Sequence, residues 1–144
     1  MNQKHAETVS DILHLIVLRL RPDRMETWSK KLKGLTPLQL HILKLAQDSP
    51  GLAPADILRE FDIPQTTLSS ALDRLVKRGL LVRRINERDL RSFAFELTDE
   101  GKEIQAEHER VDMMIAKLLL GRLDDELERA EFIRLLKKIM EGLG

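Results

Sequence analysis

The spacing of apolar residues divides the chain into segments of two kinds. Apolar residues repeat every three or four positions in residues 6–20, which predicts a helix, and this spacing returns at 36–47, 65–79, 98–120 and 126–142. A short helix is predicted at 53–60, and a polar helical piece at 23–33. Two runs rich in β-branched and aromatic residues, at 80–85 and 92–97, predict strands that flank a charged turn. Apart from the polar piece, the predicted order is four helices, two strands and two helices.

Residues that start and end helices mark several of these boundaries. Thr36, Pro37 and Gln39 have the types and spacing of a helix start: the threonine caps, the proline occupies the first turn and the glutamine completes a capping box. Gly79 is expected just past the end of its helix, where glycine tolerates a left-handed backbone. Thr98 is expected to cap the long helix that follows the hairpin.

Three short helices followed by a two-stranded hairpin are typical of a winged helix-turn-helix, whose second turn helix enters the major groove of DNA. The predicted fold class is mainly α with a small β-hairpin wing (α+β). We predict a winged helix-turn-helix DNA-binding domain at residues 34–101. The helices in 1–33 and 102–144 have apolar residues on more than one face, so we expect them to form a dimerisation region with a second copy of the chain.

Composition narrows the class of protein further. The 144 residues suffice for one compact domain, and 33% of them are charged, as in an ordinary globular protein. The chain has no cysteine, which excludes disulfides and thiolate metal sites and fits a reducing compartment. The longest apolar stretch, ILHLIVLRL at residues 12–20, is too short to cross a membrane. The first residues of the chain lack the apolar core of a signal peptide. We therefore expect a cytoplasmic protein.

Charge is distributed unevenly although the formal net charge is zero. Residues 64–95 have a net charge of +4, whereas residues 96–144 have a net charge of −5. A local positive pole can steer an anion even when the whole molecule is neutral. The helix at 65–79 and the hairpin after it are therefore the best candidates for contact with an anionic partner.

Three stretches in this order resemble the multiple-antibiotic-resistance-regulator (MarR) family of bacterial transcription factors: LTPLQLHIL, LDRLVKRGLLVRR and NERDLRSFAFELTDEG. The resemblance covers about residues 36–101, and its most specific parts are DRLVKRGLLVRR, the pair Asp89 and Arg91, and LTDEG. It implies a homodimer on palindromic double-stranded DNA, with recognition helices in successive major grooves and a wing arginine in the minor groove. It also implies a small-molecule effector.

The first two turns of the predicted recognition helix form a short polar face. A solvent-exposed helix explains such a face equally well, but surface helices usually contain Glu or Lys, which this stretch lacks. Short hydroxyls and an amide permit close approach to base edges. We therefore interpret this face as DNA-binding, and its residues are Gln65, Thr66, Thr67, Ser69 and Ser70.

Two positions in this helix depart from the pattern of the family. Pro64 occupies the place of a capping serine, so Gln65 or a phosphate oxygen is expected to satisfy the free amides. Ser70 occupies a place where Arg or Lys is frequent, which changes the operator preference that the resemblance implies.

Basic residues near the helix end and in the turn complete the predicted site. We expect Arg74 to contact phosphate and Asp73 to pair with Lys77 at the i,i+4 spacing. Arg88 and Arg91 are the candidates for the minor groove, where narrow A·T-rich tracts attract arginine. Asp89 is expected to orient Arg91 through a charge-assisted hydrogen bond. The alternative is a turn whose charges are merely solvated.

Catalytic and metal-binding patterns are not evident in the sequence. His14, His41 and His108 would have to combine with carboxylates from separate helices to complete four zinc ligands, so we expect no metal. No nucleophile elbow, glycine-rich phosphate loop or paired-histidine motif occurs, so we expect no cofactor and no enzyme activity.

The sequence thus predicts a homodimeric, sequence-specific regulator of transcription that binds double-stranded DNA and acts as a repressor. Its partners would be a palindromic operator, a second copy of the chain and a small-molecule effector. The alternative is a winged-helix module that binds proteins and has lost DNA binding.

Overall fold

The computed structural model describes residues 2–143, and it confirms the predicted order of elements. Four helices precede an antiparallel hairpin, and two helices follow it: α1 (Gln3–Leu20), α2 (Pro37–Asp48), α3 (Pro54–Glu60), α4 (Gln65–Lys77), β1 (Leu81–Ile85), β2 (Phe93–Leu97), α5 (Asp99–Leu120) and α6 (Glu126–Leu143). Helix α1 begins three residues earlier than predicted. The polar piece at 23–33 is not a continuous helix, because it consists of two short 3-10 turns, Met25–Thr27 and Lys30–Leu32.

The chain forms two compact units, and the boundary lies inside α5. The first unit runs up to Glu109 and contains α1 to α4, the hairpin and the first half of α5. The second unit begins at Arg110 and contains the remainder of α5 and all of α6. Among the described residues, no helix has both the length and the apolar character that crossing a membrane requires.

Aliphatic side chains from α2, α3, α4 and the hairpin form the core of the first unit. The apolar residues whose spacing predicted α2 and α4 face this core, although Leu38, Leu45 and Val76 are only half-buried. Apolar burial of this kind supplies the main driving force for folding. The fully buried aliphatic residues of this core include Leu32, Leu40, Ile42, Leu43, Ile57, Leu68, Leu75, Leu80 and Leu81.

Side chains satisfy the backbone at several helix ends. At the start of α2, the Thr36 hydroxyl accepts a hydrogen bond from the Gln39 N–H (3.2 Å), and the Gln39 side chain accepts one from the Thr36 N–H (3.0 Å), which confirms the capping box. At the end of α1, the indole of Trp28 donates to the Leu20 carbonyl at 2.7 Å. Trp28 is half-buried, so it holds the turn after α1 against the helix end.

The junction between α4, the hairpin and α5 depends on Thr98. Its N–H donates to the Leu80 carbonyl at 3.1 Å, and its hydroxyl donates to the Gly79 carbonyl at 2.5 Å. The same hydroxyl accepts from the Gly101 N–H at 3.0 Å, which confirms Thr98 as the cap of α5. Gly79 has a φ of +76°, as expected for a glycine just past the end of a helix. This junction fixes where β1 leaves the recognition helix.

Candidate nucleic-acid interface

Helices α3 and α4, with the turn at residues 61–64, form the helix-turn-helix. One face of α4 is anchored in the core through Leu68, Ala71, Leu72 and Leu75. The opposite face is exposed over the first two turns. It contains all five polar residues that the sequence placed there, Gln65, Thr66, Thr67, Ser69 and Ser70. The structure therefore presents them together on one accessible surface, and their contact with bases stays a prediction.

The amino terminus of α4 has no side-chain cap. Pro64 occupies the N-cap position, and neither it nor Gln65 caps the helix with its side chain. The carbonyl of Pro64 accepts from the N–H groups of Thr67 and Leu68. The N–H groups of Gln65 and Thr66 have no hydrogen-bond acceptor among residues 2–143. The positive end of the helix dipole lies at this same terminus. This terminus is suited to receive an anionic oxygen.

The seven basic residues between positions 64 and 95 fall into two groups. Three of them are held by acceptors within the protein: Arg78 donates to the Lys33 carbonyl (2.7 Å), Arg83 pairs with Asp73 (2.8 Å) and Arg84 pairs with Glu96 (2.8 Å). The other four have side chains without a hydrogen bond or ion pair among the described residues. These are Arg74, Lys77, Arg88 and Arg91, and all four are exposed.

Arg83 links the recognition helix to the wing. Its guanidinium donates to the Asp73 carboxylate, and its central carbon lies 5.0 Å from the ring centroid of Phe93 and 5.8 Å from that of Phe95. The predicted pairing of Asp73 with Lys77 is therefore wrong. The carboxylate reaches across to β1 because the strand brings Arg83 within hydrogen-bond distance.

A double-mutant cycle on Asp73→Ala and Arg83→Ala tests how much this link stabilises the fold. Both side chains are about half exposed, so we expect a coupling free energy below about 1 kcal/mol that decreases as salt is added. Urea unfolding of the four proteins at low and high salt would measure it. A coupling well above this value that persists at high salt would show that solvent screens the pair poorly, contrary to this expectation.

The wing tip, residues 86–92, is closed by hydrogen bonds of its own. The Asn86 side chain accepts from the Arg88 N–H at 3.0 Å and donates to the Ser92 hydroxyl at 3.0 Å. The Asp89 carboxylate accepts from the N–H of Arg91 at 3.0 Å. The predicted hydrogen bond from the Arg91 guanidinium to Asp89 is therefore wrong. Asp89 shapes the backbone of the turn, and the guanidinium has no partner among the described residues.

Asn86 and Ser92 contribute to the site without having been predicted. Asn86 is buried, and its N–H also donates to the Ser92 carbonyl at 3.0 Å, just beyond the last pair of the strands. The sequence did contain a signal, because Asn, Asp and Ser in a short connection between strands are typical of side chains that bond their own turn.

A cleft of about 590 Å³ separates α4 from the wing, and its lining includes Gln65, Ser69, Arg83 and Phe93. The carboxyl group of Asp56 lies at the start of α3, near the wing. Its pKa is lowered, chiefly because it accepts a hydrogen bond from the Ala53 N–H, and also because of the charges of Arg59 and, more weakly, Arg88. Asp56 therefore remains ionised in neutral solution.

The histidines are separated in the structure. His41 lies 3.8 Å from Glu60 and packs edge-on against Phe61, whereas Nδ1 of His108 lies 3.1 Å from the Gln105 side-chain oxygen on α5. Within residues 2–143, no three His, Asp or Glu side chains form a group that could hold a metal ion.

A helix-turn-helix whose second helix exposes short polar residues, followed by a wing with unpaired arginines, defines a winged-helix protein of the DNA-binding class. Comparisons with known proteins agree with this class. Residues 33–92 match the model of the MarR family.

Two curated relatives and one solved structure illustrate the likeness. The chain is 30% identical over 113 residues to the transcriptional regulator HosA of Escherichia coli O157:H7. This alignment covers 78% of this chain and 83% of HosA. It is 29% identical over 119 residues to the transcriptional repressor MdtR of Bacillus subtilis, which covers 81% and 69% of the two chains. The structure of FabT from Streptococcus pneumoniae in complex with DNA superposes with a TM-score of 0.78 at 18% identity, over 99% of each chain.

The chain therefore belongs to the MarR family, and it is a DNA-binding transcription regulator. The similarity to HosA extends beyond the winged helix, because the alignment covers more of the chain than residues 33–92 alone.

Proposed function

We propose that this regulator binds a palindromic operator as a homodimer and represses transcription. The observation that carries the proposal is that α4 exposes a short polar face while the side chains of Arg74, Arg88 and Arg91 have no hydrogen bond or ion pair among the described residues. Basic side chains without internal partners can replace the counterions of DNA, and short polar side chains can approach base edges. Two relatives support the regulatory role, since HosA is a transcriptional regulator and MdtR a transcriptional repressor.

In this proposal, the residues of the surface have separate roles. The polar face of α4 reads bases in the major groove, with Gln65 able to bond an adenine in bidentate fashion. Arg74 contacts a phosphate, and the uncapped start of α4 contributes its amides to the backbone. Arg91 enters the minor groove, where its free guanidinium meets the negative potential of A·T-rich DNA. Arg88 and Asp89 complete the wing, the first as a cation and the second by shaping the turn.

Exposed apolar residues on the terminal helices support the homodimer. Helix α1 has no buried residue, and its exposed apolar residues are Val9, Ile12, Leu13, Leu15, Ile16, Val17 and Leu18. Helix α6 also has no buried residue, and Ile133, Leu136 and Ile139 on it are exposed. A helix that exposes this many large apolar residues is typical of an interface. We assign residues 1–33 and 102–144 to dimerisation and residues 34–101 to DNA binding, and we assign no catalytic role to the chain.

A two-fold dimer would hold two recognition helices at a fixed separation that matches two half-sites one helical turn apart. A small-molecule effector would act by changing that separation, and so the fit to the operator. Such an effector must bind the DNA-competent and the incompetent arrangement with different affinities, because an equal affinity for both would shift nothing.

Footprinting on the DNA that flanks the gene of this protein, with and without candidate ligands, tests the proposal. We expect two protected half-sites separated by about 10 base pairs, and an affinity whose logarithm falls linearly with the logarithm of salt concentration. Sedimentation of the same sample should give the mass of a dimer. A protein with no salt-dependent affinity for any duplex, its own promoter included, would instead favour a winged-helix module that binds proteins.

A further inference from the structure

Leu90 occupies an unusual position at the tip of the wing. The residue is 79% exposed, and among the large apolar residues of the described chain only Leu127 is more exposed, at 80%. Single exposed apolar residues are ordinary on protein surfaces and need no explanation by themselves. Leu90 differs because of the loop that carries it and because of the charges on either side of it.

The backbone around Leu90 is held in one shape. Three backbone hydrogen bonds close the tip, from Asn86 N–H to the Ser92 carbonyl (3.0 Å), from Asp89 N–H to the Asn86 carbonyl (3.2 Å) and from Ser92 N–H to the Asp89 carbonyl (3.0 Å). The side chains of Asn86 and Asp89 add three more. Leu90 is therefore presented to solvent by a preorganised turn, and little conformational entropy remains to be lost when it contacts a partner.

Leu90 also has a backbone donor available. Of the N–H groups from Asn86 to Ser92, those of Glu87 and Leu90 have no hydrogen-bond partner among residues 2–143. The side chain and the N–H of the same residue thus both remain unused by the protein. Acceptors on the floor and walls of a minor groove would match this donor.

The side chains of Arg88 and Arg91 lie on either side of Leu90 in the sequence, and neither makes a hydrogen bond or ion pair with a described residue. Leu90 therefore stands in the sequence between two basic residues whose side chains remain available to a partner, on the hairpin that borders the cleft beside α4. An anionic partner complements the cations, and the surface proposed to meet DNA continues into this tip. A lipid surface would require a larger apolar area than one leucine provides.

We propose that Leu90 acts as an apolar wedge in the minor groove of the operator and determines specificity there. This proposal rests on the proposed function, since the wing must reach DNA for Leu90 to act as a wedge. Arg88 and Arg91 hold the tip in the groove, and Leu90 presses against the base pairs beneath it and opens one step. Pyrimidine–purine steps unstack most easily, so the wedge selects TA or CA at that position without hydrogen bonds to the bases.

The wedge and the arginines have different dependences on salt. Arginines displace counterions, so removing one lowers the salt slope of the binding constant by about 1 for each copy. An aliphatic contact displaces none, so removing it weakens binding equally at every salt concentration. This difference separates the role of Leu90 from that of its neighbours.

The test uses the full-length protein and two duplexes, the operator found by footprinting and the same operator with the flexible step beneath the wing replaced by AA. We expect Leu90→Ala to bind the operator about 10-fold more weakly with an unchanged salt slope, and to lose the preference for the flexible step. End-to-end fluorescence energy transfer should show a smaller bend for Leu90→Ala than for the wild type. Leu90→Met should retain most of the affinity and the bend, because methionine supplies an apolar side chain of similar size.

Leu90→Met is the matched variant, because the other strongly exposed leucines of the described residues lie in the regions assigned to dimerisation. The wedge is wrong if Leu90→Ala keeps the wild-type bend and step preference, if it lowers the salt slope, or if Leu90→Met is no better than Leu90→Ala. A loss of self-association in Leu90→Ala with unchanged DNA binding would also overturn it, in favour of a protein contact. Absence of salt-dependent binding by the wild type would refute the proposed function itself, which is a distinguishable result.

Discussion

Replacing Arg91 by alanine is expected to weaken operator binding by about 10- to 100-fold, which corresponds to roughly 1.4–2.8 kcal/mol. The guanidinium of Arg91 has no hydrogen bond or ion pair among the described residues, so its removal breaks no such interaction within them. The backbone N–H of Arg91, which donates to Asp89, is retained in the variant. The loss should therefore appear in DNA binding and not in the free energy of unfolding.

The salt dependence of binding provides a second measurement on the same variant. Titrations at several salt concentrations should show that the slope decreases by about 1 for each copy of Arg91 removed. The combined variant Arg88→Ala with Arg91→Ala should lose more affinity and more of the slope than either change alone.

Arg84→Ala is the control with the same change of charge in the same hairpin. Arg84 forms an ion pair with Glu96 at 2.8 Å, so its removal also releases a carboxylate. Because Arg84 contributes to DNA binding only through its charge at a distance, we expect the affinity to change by about 2-fold or less. If Arg84→Ala and Arg91→Ala had equal effects, the wing would act only through its total charge, and the distinction between held and free arginines would be wrong.

Replacing Gly101 by alanine is expected to destabilise the first unit by about 3 kcal/mol, at the upper end of what overpacking of a core costs. A Cβ at this position would lie 2.0 Å from the Leu80 carbonyl oxygen and 3.2 Å from a methyl of Leu97. Backbone cannot yield as a flexible side chain does, so α5 or the start of β1 must move. The usual gain from replacing a helical glycine by alanine, about 0.5–1 kcal/mol, is too small to offset this.

Gly142→Ala in α6 is the matched control, because a Cβ there would meet no atom within 4 Å. It should leave the urea midpoint unchanged or raise it slightly. Gly101→Ala should lower the midpoint and also weaken operator binding, since the carbonyl of Leu80 lies in the junction that positions the wing beside α4. An unchanged midpoint for Gly101→Ala would mean that α5 can retreat from β1 without cost.

The Gly101 contact also explains why the LTDEG stretch is informative in the sequence. Thr98 predicted the cap, and the structure adds that the same hydroxyl reaches back to the Gly79 carbonyl. Gly101 has its role because the backbone of Leu80 occupies the place of a side chain. The first of these facts depends on a local pattern, whereas the other two depend on the connection between α4 and β1, which approaches α5 from elsewhere in the chain.

Errors in the sequence-based predictions have the same origin. Asp73 was expected to pair with Lys77 because the two are one helical turn apart, yet it pairs with Arg83 on β1. Asp89 was expected to bond the guanidinium of Arg91, yet it bonds the N–H of that residue. In each case the partner was decided by a geometry that spacing along the chain does not contain.

The sequence by itself determined the order of the helices and strands, the caps at Thr36 and Thr98, and the polar face of α4, because each follows from contacts between residues a few positions apart. It also identified the hairpin as the positive pole. Only the tertiary structure decided which basic residues remain free, since Arg78, Arg83 and Arg84 are held by groups 10 to 45 residues away, whereas Arg91 is not. Charge is a property of composition, but the availability of a charge depends on what the folded chain places beside it.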